Sequence, residues 1–281
     1  MMRSRAARWS VYVLIAIVFA VACAFLSHWQ FERNEERAAG NALIEQNYDA
    51  EPVPLADLIP LGASFAAGDE WRPVVLTGEY LADDQLLVRN RARGGTSAFE
   101  VLVPFLLDDG RIIAVDRGWL PPGEGDSPDA VPSAPEGEVT IVARLKPGEP
   151  LPASGRSAPQ GQLPTIHLRS VAELTGDATI LDAYALMVSE EPSASAAPNA
   201  IDAPEIEPGP HLSYAIQWIL FAIMGFVFIG YMIRTEVRAR REDAVDPDED
   251  DDALEHAPKG RRRRRDRDAD AEDALLDAEH G

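Results

Sequence analysis

Two uncharged apolar segments, one near each end of the chain, constrain the fold most strongly. The first runs from Trp9 to Leu26 and the second from Tyr214 to Ile233. At about 1.5 Å per residue, helices of these lengths reach roughly 27 to 30 Å, close to the thickness of the hydrocarbon core of a bilayer. We therefore predict one transmembrane helix over residues 9–26 and a second within residues 211–233, where an interfacial segment leads into it.

The first apolar segment follows a basic leader, residues 1–8, and in this it resembles a signal peptide. Its length is sufficient to span a bilayer. We interpret the segment as a retained anchor.

The basic residues beside the two spans predict the orientation, because Lys and Arg near span ends stay on the cytoplasmic side. Three arginines precede the first span, and four lie within residues 234–241, just after the second. Both termini are therefore expected in the cytoplasm of a multi-pass cell-membrane protein, with residues 27–210 exported. Between Ser27 and Ser213 the chain has 12 basic and 30 acidic residues, a net charge of −18. This charge argues against nucleic acid or anionic lipid as a partner of the exported part.

The composition of the exported part excludes several functions. The only cysteine, Cys23, lies inside the first span, so there is no Cys-x-x-Cys for copper or thiol exchange and no Cys-x-x-Cys-His for covalent haem. No two histidines have ligand spacing, and no Gly-x-Ser-x-Gly is present. We predict neither catalytic residues nor a metal site. An exported hydrolase or sensor stays an alternative, and it would need a deep polar pocket away from the membrane.

Residues 27–189 are predicted to form the exported domain, a β-rich α+β fold. Alternating apolar residues and turn signals such as Asp108-Asp109-Gly110 favour an antiparallel meander or a partly closed barrel. The candidate strands are Pro73 to Tyr80, Gln85 to Asn90, Phe99 to Leu107, Arg111 to Trp119, Glu138 to Lys146 and Ala178 to Val188. Residues 121–135 are expected to form a loop without core residues, residues 190–210 a tether, and residues 234–281 a disordered cytoplasmic tail.

A polar and aromatic stripe marks the start of the second span. His211, Tyr214, Gln217 and Trp218 share one helical face because residues three, four and seven apart stack above one another. Trp and Tyr are ordinary interfacial anchors, and His211 could simply cap the helix. A haem iron, however, can be held by one or two histidines without a local motif, so the stripe is also a candidate cofactor site, with His28 as a second ligand.

The segment Asp116-Arg117-Gly118-Trp119 closes a candidate strand. We expect Arg117 to form an internal ion pair and Trp119 to pack at the sheet edge, as a corner that specifies the fold. Arg89 and Arg91 are likewise expected to serve as ion-pair and packing residues.

Together these motifs resemble the surfeit locus family of cytochrome c oxidase assembly proteins, which have two spans and one exported domain. The N-terminal signature is Trp29, Gln30 and Arg33, and the C-terminal one is the stripe from His211 to Trp218. The central signature is Gly78, Arg89, Gly95, Pro104, Arg117, Gly118 and Trp119. At position 116 the family often has Asn, so the Asp here puts any shared hydrogen bond in question.

The resemblance implies a chaperone of respiratory chain biogenesis rather than an enzyme. It implies handling of haem a as it enters the catalytic subunit of cytochrome c oxidase, with haem a synthase as a further partner. The family's C-terminal histidine corresponds to His211, which becomes the candidate haem ligand, whereas His28 matches no family position. A purely structural scaffold that binds oxidase subunits without haem is the alternative.

Overall fold

The computed structural model describes residues 2–93, 95–125 and 127–245. Its helices are α1 (Met2–Asn47), α2 (Leu55–Leu58), α3 (Leu168–Thr175) and α4 (His211–Val245), with short 3-10 turns at Ala67–Asp69 and Ala82–Asp84. Its strands are β1 (Val53–Pro54), β2 (Pro73–Tyr80), β3 (Leu86–Arg93), β4 (Thr96–Leu107), β5 (Ile112–Leu120), β6 (Glu138–Pro147), β7 (Gln162–Leu163) and β8 (Ala183–Glu191). The six predicted strands are all present, most of them within about three residues of the predicted ends.

The described chain divides into two compact units, one formed by residues 2–26 with 217–245 and the other by the described part of residues 27–216. In the first unit, α1 and α4 contain windows with mean hydropathies of 2.5 and 2.1 and are long enough to cross a membrane. The two helices pack at Gly225, where an added Cβ would lie 3.3 Å from the Phe19 ring. Most of their large apolar side chains are exposed.

The second unit contains one mixed sheet whose strands pair in a ring. The order β2-β6-β8-β5-β4 returns to β2 because β2 pairs with both β6 and β4. β5 and β8 run parallel, as do the short pairs β1–β2 and β3–β7. Of the two predicted forms, the antiparallel meander is wrong because the sheet is mixed, whereas the closed pairing of five strands agrees with the predicted barrel. β8 inserts between β5 and β6, an arrangement that turn signals between neighbouring strands cannot reveal.

The ring encloses one apolar core, and a second core lies on its outer face. Alternate residues of all five ring strands meet in the inner core, with Leu76, Val103 and Phe105 among them. Leu102 and Leu186, which point the other way, pack with α3, β3 and β7. β4, β5 and β8 are thus buried on both faces, which explains their nearly continuous apolar sequences.

Three segments differ from the predictions. The loop after β5 contributes Val131 and Ala134 to the inner core, although no core residue was expected there. α4 continues to Val245, so residues 234–245 are helical rather than disordered. The rest of the predicted tail, residues 246–281, lies outside the described residues.

The predicted tether, residues 190–210, is also more ordered than expected. Asn199 exchanges two backbone hydrogen bonds with Trp119 of β5, and the Trp119 Nε1 donates to the Ala200 carbonyl at 3.1 Å. These backbone pairings hold the segment against the sheet in a way that its Ala- and Pro-rich composition does not predict. We call residues 198–207 the strap.

Candidate functional site

The second unit contains a polar contact region between the C-terminal part of α1 and the chain entering α4. His211 Nδ1 lies 2.9 Å from Gln30 Oε1. The Ser27 hydroxyl donates to the Ala215 carbonyl at 3.0 Å, and both residues are buried. We call this region the clasp. Its members are Ser27, Gln30, Arg37 and Asn41 on α1, with Glu207, His211 and Ala215.

Two further side chains of α1 fix the strap within the clasp. Arg37 Nε and Asn41 Nδ2 both donate to the Glu207 carbonyl, at 3.1 and 3.0 Å. A carbonyl oxygen has two lone pairs, so one acceptor satisfies both donors. The clasp is thus held at two backbone carbonyls eight residues apart, those of Glu207 and Ala215, and His211 lies midway between them in the chain.

The predicted stripe is only partly involved in these contacts. Tyr214 is 47% exposed, and its neighbour Ala215 is the residue that turns toward α1. In the other unit, Gln217 is exposed and Trp218 packs edge-on against Phe221, with ring centroids 5.7 Å apart. His28, the candidate second ligand, is exposed and lies 3.4 Å from Glu32 on its own helix.

The N-terminal signature contributes one clasp residue and two surface residues. Trp29 is 43% exposed, and Arg33 pairs with Glu36 one turn along α1 at 2.8 Å. Of these three described residues, Gln30 is the one that forms a hydrogen bond with His211.

Within the central signature, Gly78 and Gly118 have steric roles. A Cβ at Gly78 would lie 1.9 Å from the Leu106 carbonyl oxygen, where β2 meets β4 and the ring closes. A Cβ at Gly118 would lie 2.3 Å from the Asn199 carbonyl oxygen, where the strap joins β5. Pro104 is buried in β4, while Gly95 lies in the turn between β3 and β4.

Arg117 occupies the inside of the ring, as the predicted internal ion pair requires. Its guanidinium NH2 and Nε lie 2.7 and 3.3 Å from the two carboxylate oxygens of Glu190. The Tyr80 hydroxyl donates to Glu190 at 2.9 Å, and the Arg117 guanidinium lies 5.3 Å from the Tyr80 ring centroid. Burial, followed by the Glu190 charge, raises the pKa of Tyr80, so its hydroxyl stays a donor.

A second group of buried charges lies on the outer face of the same strands. Glu100 binds Arg91 and Arg93, and Arg91 also binds Glu149 at 2.8 Å. Burial alone would lower the pKa of Arg91, but the hydrogen bond to Glu149 and the charges of both glutamates raise it overall. Arg89, expected to form an ion pair, has a buried Nε without a hydrogen-bond partner.

Asp116 belongs to this outer group and is only 1% exposed. Its burial and the nearby Glu100 carboxylate raise its pKa well above the usual value for Asp. Its Oδ1 accepts a hydrogen bond from the Gly118 amide at 3.0 Å. An Asn at this position could accept the same bond, so the Asp does not remove it.

The outer group lines a cavity of about 350 Å³ that the strap borders. Tyr184 also lines it, and burial together with the surrounding carboxylates raises the pKa of the Tyr184 hydroxyl. Sequence reasoning missed Glu100, Glu149 and Tyr184. The available signal was a single charged residue, Glu100, within the otherwise apolar residues 98–107 of β4.

The cavity bears on the alternative of an exported hydrolase, which needed a deep polar pocket. The described residues that line it include no Ser, Cys or His. The carboxylates of Glu100 and Glu149 are paired with arginines and that of Asp116 accepts a backbone hydrogen bond, as in a structural charge network. Within the described part of the chain, no group of three or more His, Cys, Asp or Glu side chains is arranged to hold a metal ion.

In chain order, the molecule has an apolar helix, a ring-closed mixed sheet and a second apolar helix, with a histidine clasp beside the start of the second helix. The model of the SURF1 family matches residues 17–223, so the chain belongs to this family and the resemblance is confirmed.

Relatives from bacteria and eukaryotes match over different shares of the chain. An uncharacterised SURF1-like protein of Mycobacterium tuberculosis is 37% identical over 84% of this chain and 87% of its own. The cytochrome oxidase assembly protein SHY1 of Saccharomyces cerevisiae is 27% identical over 38% of this chain and 28% of its own. A SURF1-like protein of Monosiga brevicollis is 26% identical over 50% of this chain and 55% of its own.

Proposed function

We propose that this chain is a membrane-bound assembly factor for cytochrome c oxidase that handles haem a on its way into the catalytic subunit. The observation that carries the proposal is membership of the SURF1 family together with similarity to a yeast protein named for cytochrome oxidase assembly. The proposed partners are the catalytic subunit and haem a synthase. The protein acts as a chaperone and not as an enzyme.

The apolar helices support a location in the cell membrane. Leu14, Phe25 and Val227 are each 60% or more exposed, and a lipid environment would cover such side chains. The flanking arginines support a topology with both termini in the cytoplasm and the ring-closed domain outside it. Haem a would then meet the chain at the outer membrane surface.

His211 fits the requirements of a haem ligand. A haem iron needs one neutral imidazole nitrogen, and the Nδ1 of His211 is already engaged by Gln30, which leaves Nε2 as the ligand atom. Tyr214, which is half-exposed in the same unit, would supply aromatic contact area. Gln217 and Trp218 stay proposed haem contacts on the strength of helical spacing.

Deletion of the gene, followed by reduced-minus-oxidised spectra of membranes, tests the assembly role. We expect a diminished haem a band because insertion of the cofactor would be slowed. His211→Ala should give a milder form of the same loss, whereas His28→Ala, which changes an exposed histidine of α1, should leave the band unchanged. An undiminished haem a band in the deletion strain would contradict the proposal.

A purely structural scaffold is the second candidate, and the clasp favours it in one respect. His211 joins two segments of the chain through Gln30, a role that needs no haem. Purification of the full chain from cells that make haem a separates the two candidates. Bound haem a that is lost in His211→Ala supports handling of the cofactor. Absence of pigment, with intact binding of oxidase subunits, supports the scaffold.

A further inference from the structure

The contact between His211 and Gln30 selects one form of the imidazole. An amide oxygen can only accept a hydrogen bond, so the 2.9 Å contact from Gln30 Oε1 requires a proton on His211 Nδ1. In a neutral ring the lone pair then lies on Nε2. With the Gln30 amide oriented as in the structure, the opposite tautomer would place two acceptors against each other.

The remainder of the clasp holds this contact in place. Ser27 binds the Ala215 carbonyl, one turn of α4 beyond His211, and is itself buried. Arg37 and Asn41 hold the Glu207 carbonyl, four residues before His211. The histidine is thus fixed on both sides along the chain, and its ring orientation relative to α1 does not depend on the Gln30 contact alone.

The opposite edge of the His211 imidazole, which carries Cδ2 and Nε2, faces a glycine. A Cβ added at Gly209 would lie 3.6 Å from His211 Cδ2 and 4.0 Å from Nε2, and the φ of this residue is +69°. Glycine adopts this left-handed conformation without strain and brings no side chain toward Nε2. The chain therefore binds the Nδ1 side of the imidazole through Gln30 and has a residue without a side chain beside the Nε2 edge.

We propose that Gln30 is a positioning residue that fixes the Nδ1–H tautomer of His211 and presents the Nε2 lone pair to an iron centre. That iron centre is a haem if the proposed function is correct, and in this the proposal rests on the proposed function. Histidines that bind metals almost always donate their other N–H to a carbonyl or carboxylate, and loss of that partner typically costs about 10- to 100-fold in affinity. Gln30 supplies such an acceptor.

The tautomer can be measured without haem. The full chain, labelled with 15N-histidine and held in detergent micelles, gives Nδ1 and Nε2 shifts, and His211→Ala identifies the His211 signals among the 5 histidines. We expect the Nδ1–H form in the wild type and in Gln30→Glu, and a mixture of tautomers in Gln30→Leu. Gln46→Leu, an exposed glutamine of the same helix, is the matched control and should leave the spectrum unchanged. An Nε2–H tautomer in the wild type, or an unchanged spectrum in Gln30→Leu, would overturn the proposal.

Titration with ferric haem a then links the tautomer to binding. Gln30→Leu should weaken binding by about 10- to 100-fold, Gln30→Glu should bind at least as well as the wild type, and His211→Ala should lose the spectrum of the histidine complex. If His211→Ala binds like the wild type, the ligand assignment in the proposed function fails, while the tautomer measurement still decides the role of Gln30. If His211→Ala loses binding and Gln30→Leu does not, the positioning role fails alone.

Discussion

Asp116 and Arg117 are adjacent in β5, both are buried, and they face opposite sides of the sheet. Arg117 lies inside the ring, where Glu190 is its carboxylate partner and Tyr80 completes the group. Asp116 lies on the outer face, where Glu100 is nearby and the pKa of Asp116 is raised. β5 therefore carries an arginine paired with a carboxylate on one face, and on the other face a carboxyl group that lies near a second carboxylate. A buried charge without a partner of opposite charge destabilises the folded state, so the two faces should respond differently when one charged residue is replaced.

The largest expected effect comes from breaking the inner pair. Arg117→Leu leaves Glu190 buried without its cation, and we expect the free energy of unfolding to fall by about 3 to 5 kcal/mol. Denaturant unfolding of the full chain in detergent, followed by tryptophan fluorescence, measures the loss. The double variant Arg117→Leu with Glu190→Leu should be more stable than the single one, because no unpaired charge remains. A double variant less stable than Arg117→Leu would show that the ion pair itself stabilises the ring of strands, and that the loss in Arg117→Leu does not come from an unpaired Glu190.

Glu100→Gln is the corresponding change on the outer face. Arg91 keeps Glu149, whereas Arg93 loses the carboxylate at 2.9 Å, so we expect a smaller loss of about 2 kcal/mol. Glu79→Gln, an exposed glutamate of β2, controls for the change in net charge. The same unfolding measurement applies. A loss as large as that of Arg117→Leu would remove the distinction between the two faces.

Gly118→Ala tests how strongly the outer face depends on the strap. The new Cβ would meet the Asn199 carbonyl oxygen at 2.3 Å, so the strap must shift, at a cost of about 1 to 3 kcal/mol. Hydrogen exchange of the Asn199 amide, which donates to the Trp119 carbonyl, should become faster. Gly137→Ala has a φ of +77° and open space around its Cβ, so it carries the backbone cost without the collision. Equal exchange of the Asn199 amide in both variants would contradict the steric explanation.

Much of this fold could be predicted from local sequence, because strand positions follow from alternation and from turn residues. The Asp108-Asp109-Gly110 turn indicated the β4–β5 hairpin, and Arg117 was expected to form an internal ion pair, which the Glu190 contact confirms. The position of β8 between β5 and β6 could not be predicted, because it depends on pairing between residues 36 to 70 positions apart in sequence.

The clasp illustrates the same limit. Gln30 and His211 were both singled out by their motifs, yet the bond between them joins residues 181 positions apart. Ser27 and Asn41 carried no signal, since a Ser or Asn on a helix is ordinarily a solvated residue. Their partners are backbone carbonyls, which no side-chain pattern identifies. The predicted role of His211 in haem binding stays a prediction.

Asp116→Asn has the smallest expected effect and the opposite sign. The folded-state pKa of Asp116 is raised by burial and by Glu100, so the folded protein holds this proton more tightly than the unfolded chain, in which an Asp has a pKa of about 3.9. Stability is therefore greatest below that pKa and is lost as pH rises through the folded-state value. Asn removes the loss, so we expect it to stabilise the protein by roughly 1 kcal/mol at neutral pH and by progressively less toward pH 4.

Asp109→Asn is the control, because the hydrogen bond from Arg111 lowers the pKa of Asp109 and its removal should destabilise at neutral pH. Unfolding measured at several pH values distinguishes the two, and pH-independent stabilisation by Asp116→Asn would show that Asp116 does not carry a mismatched charge.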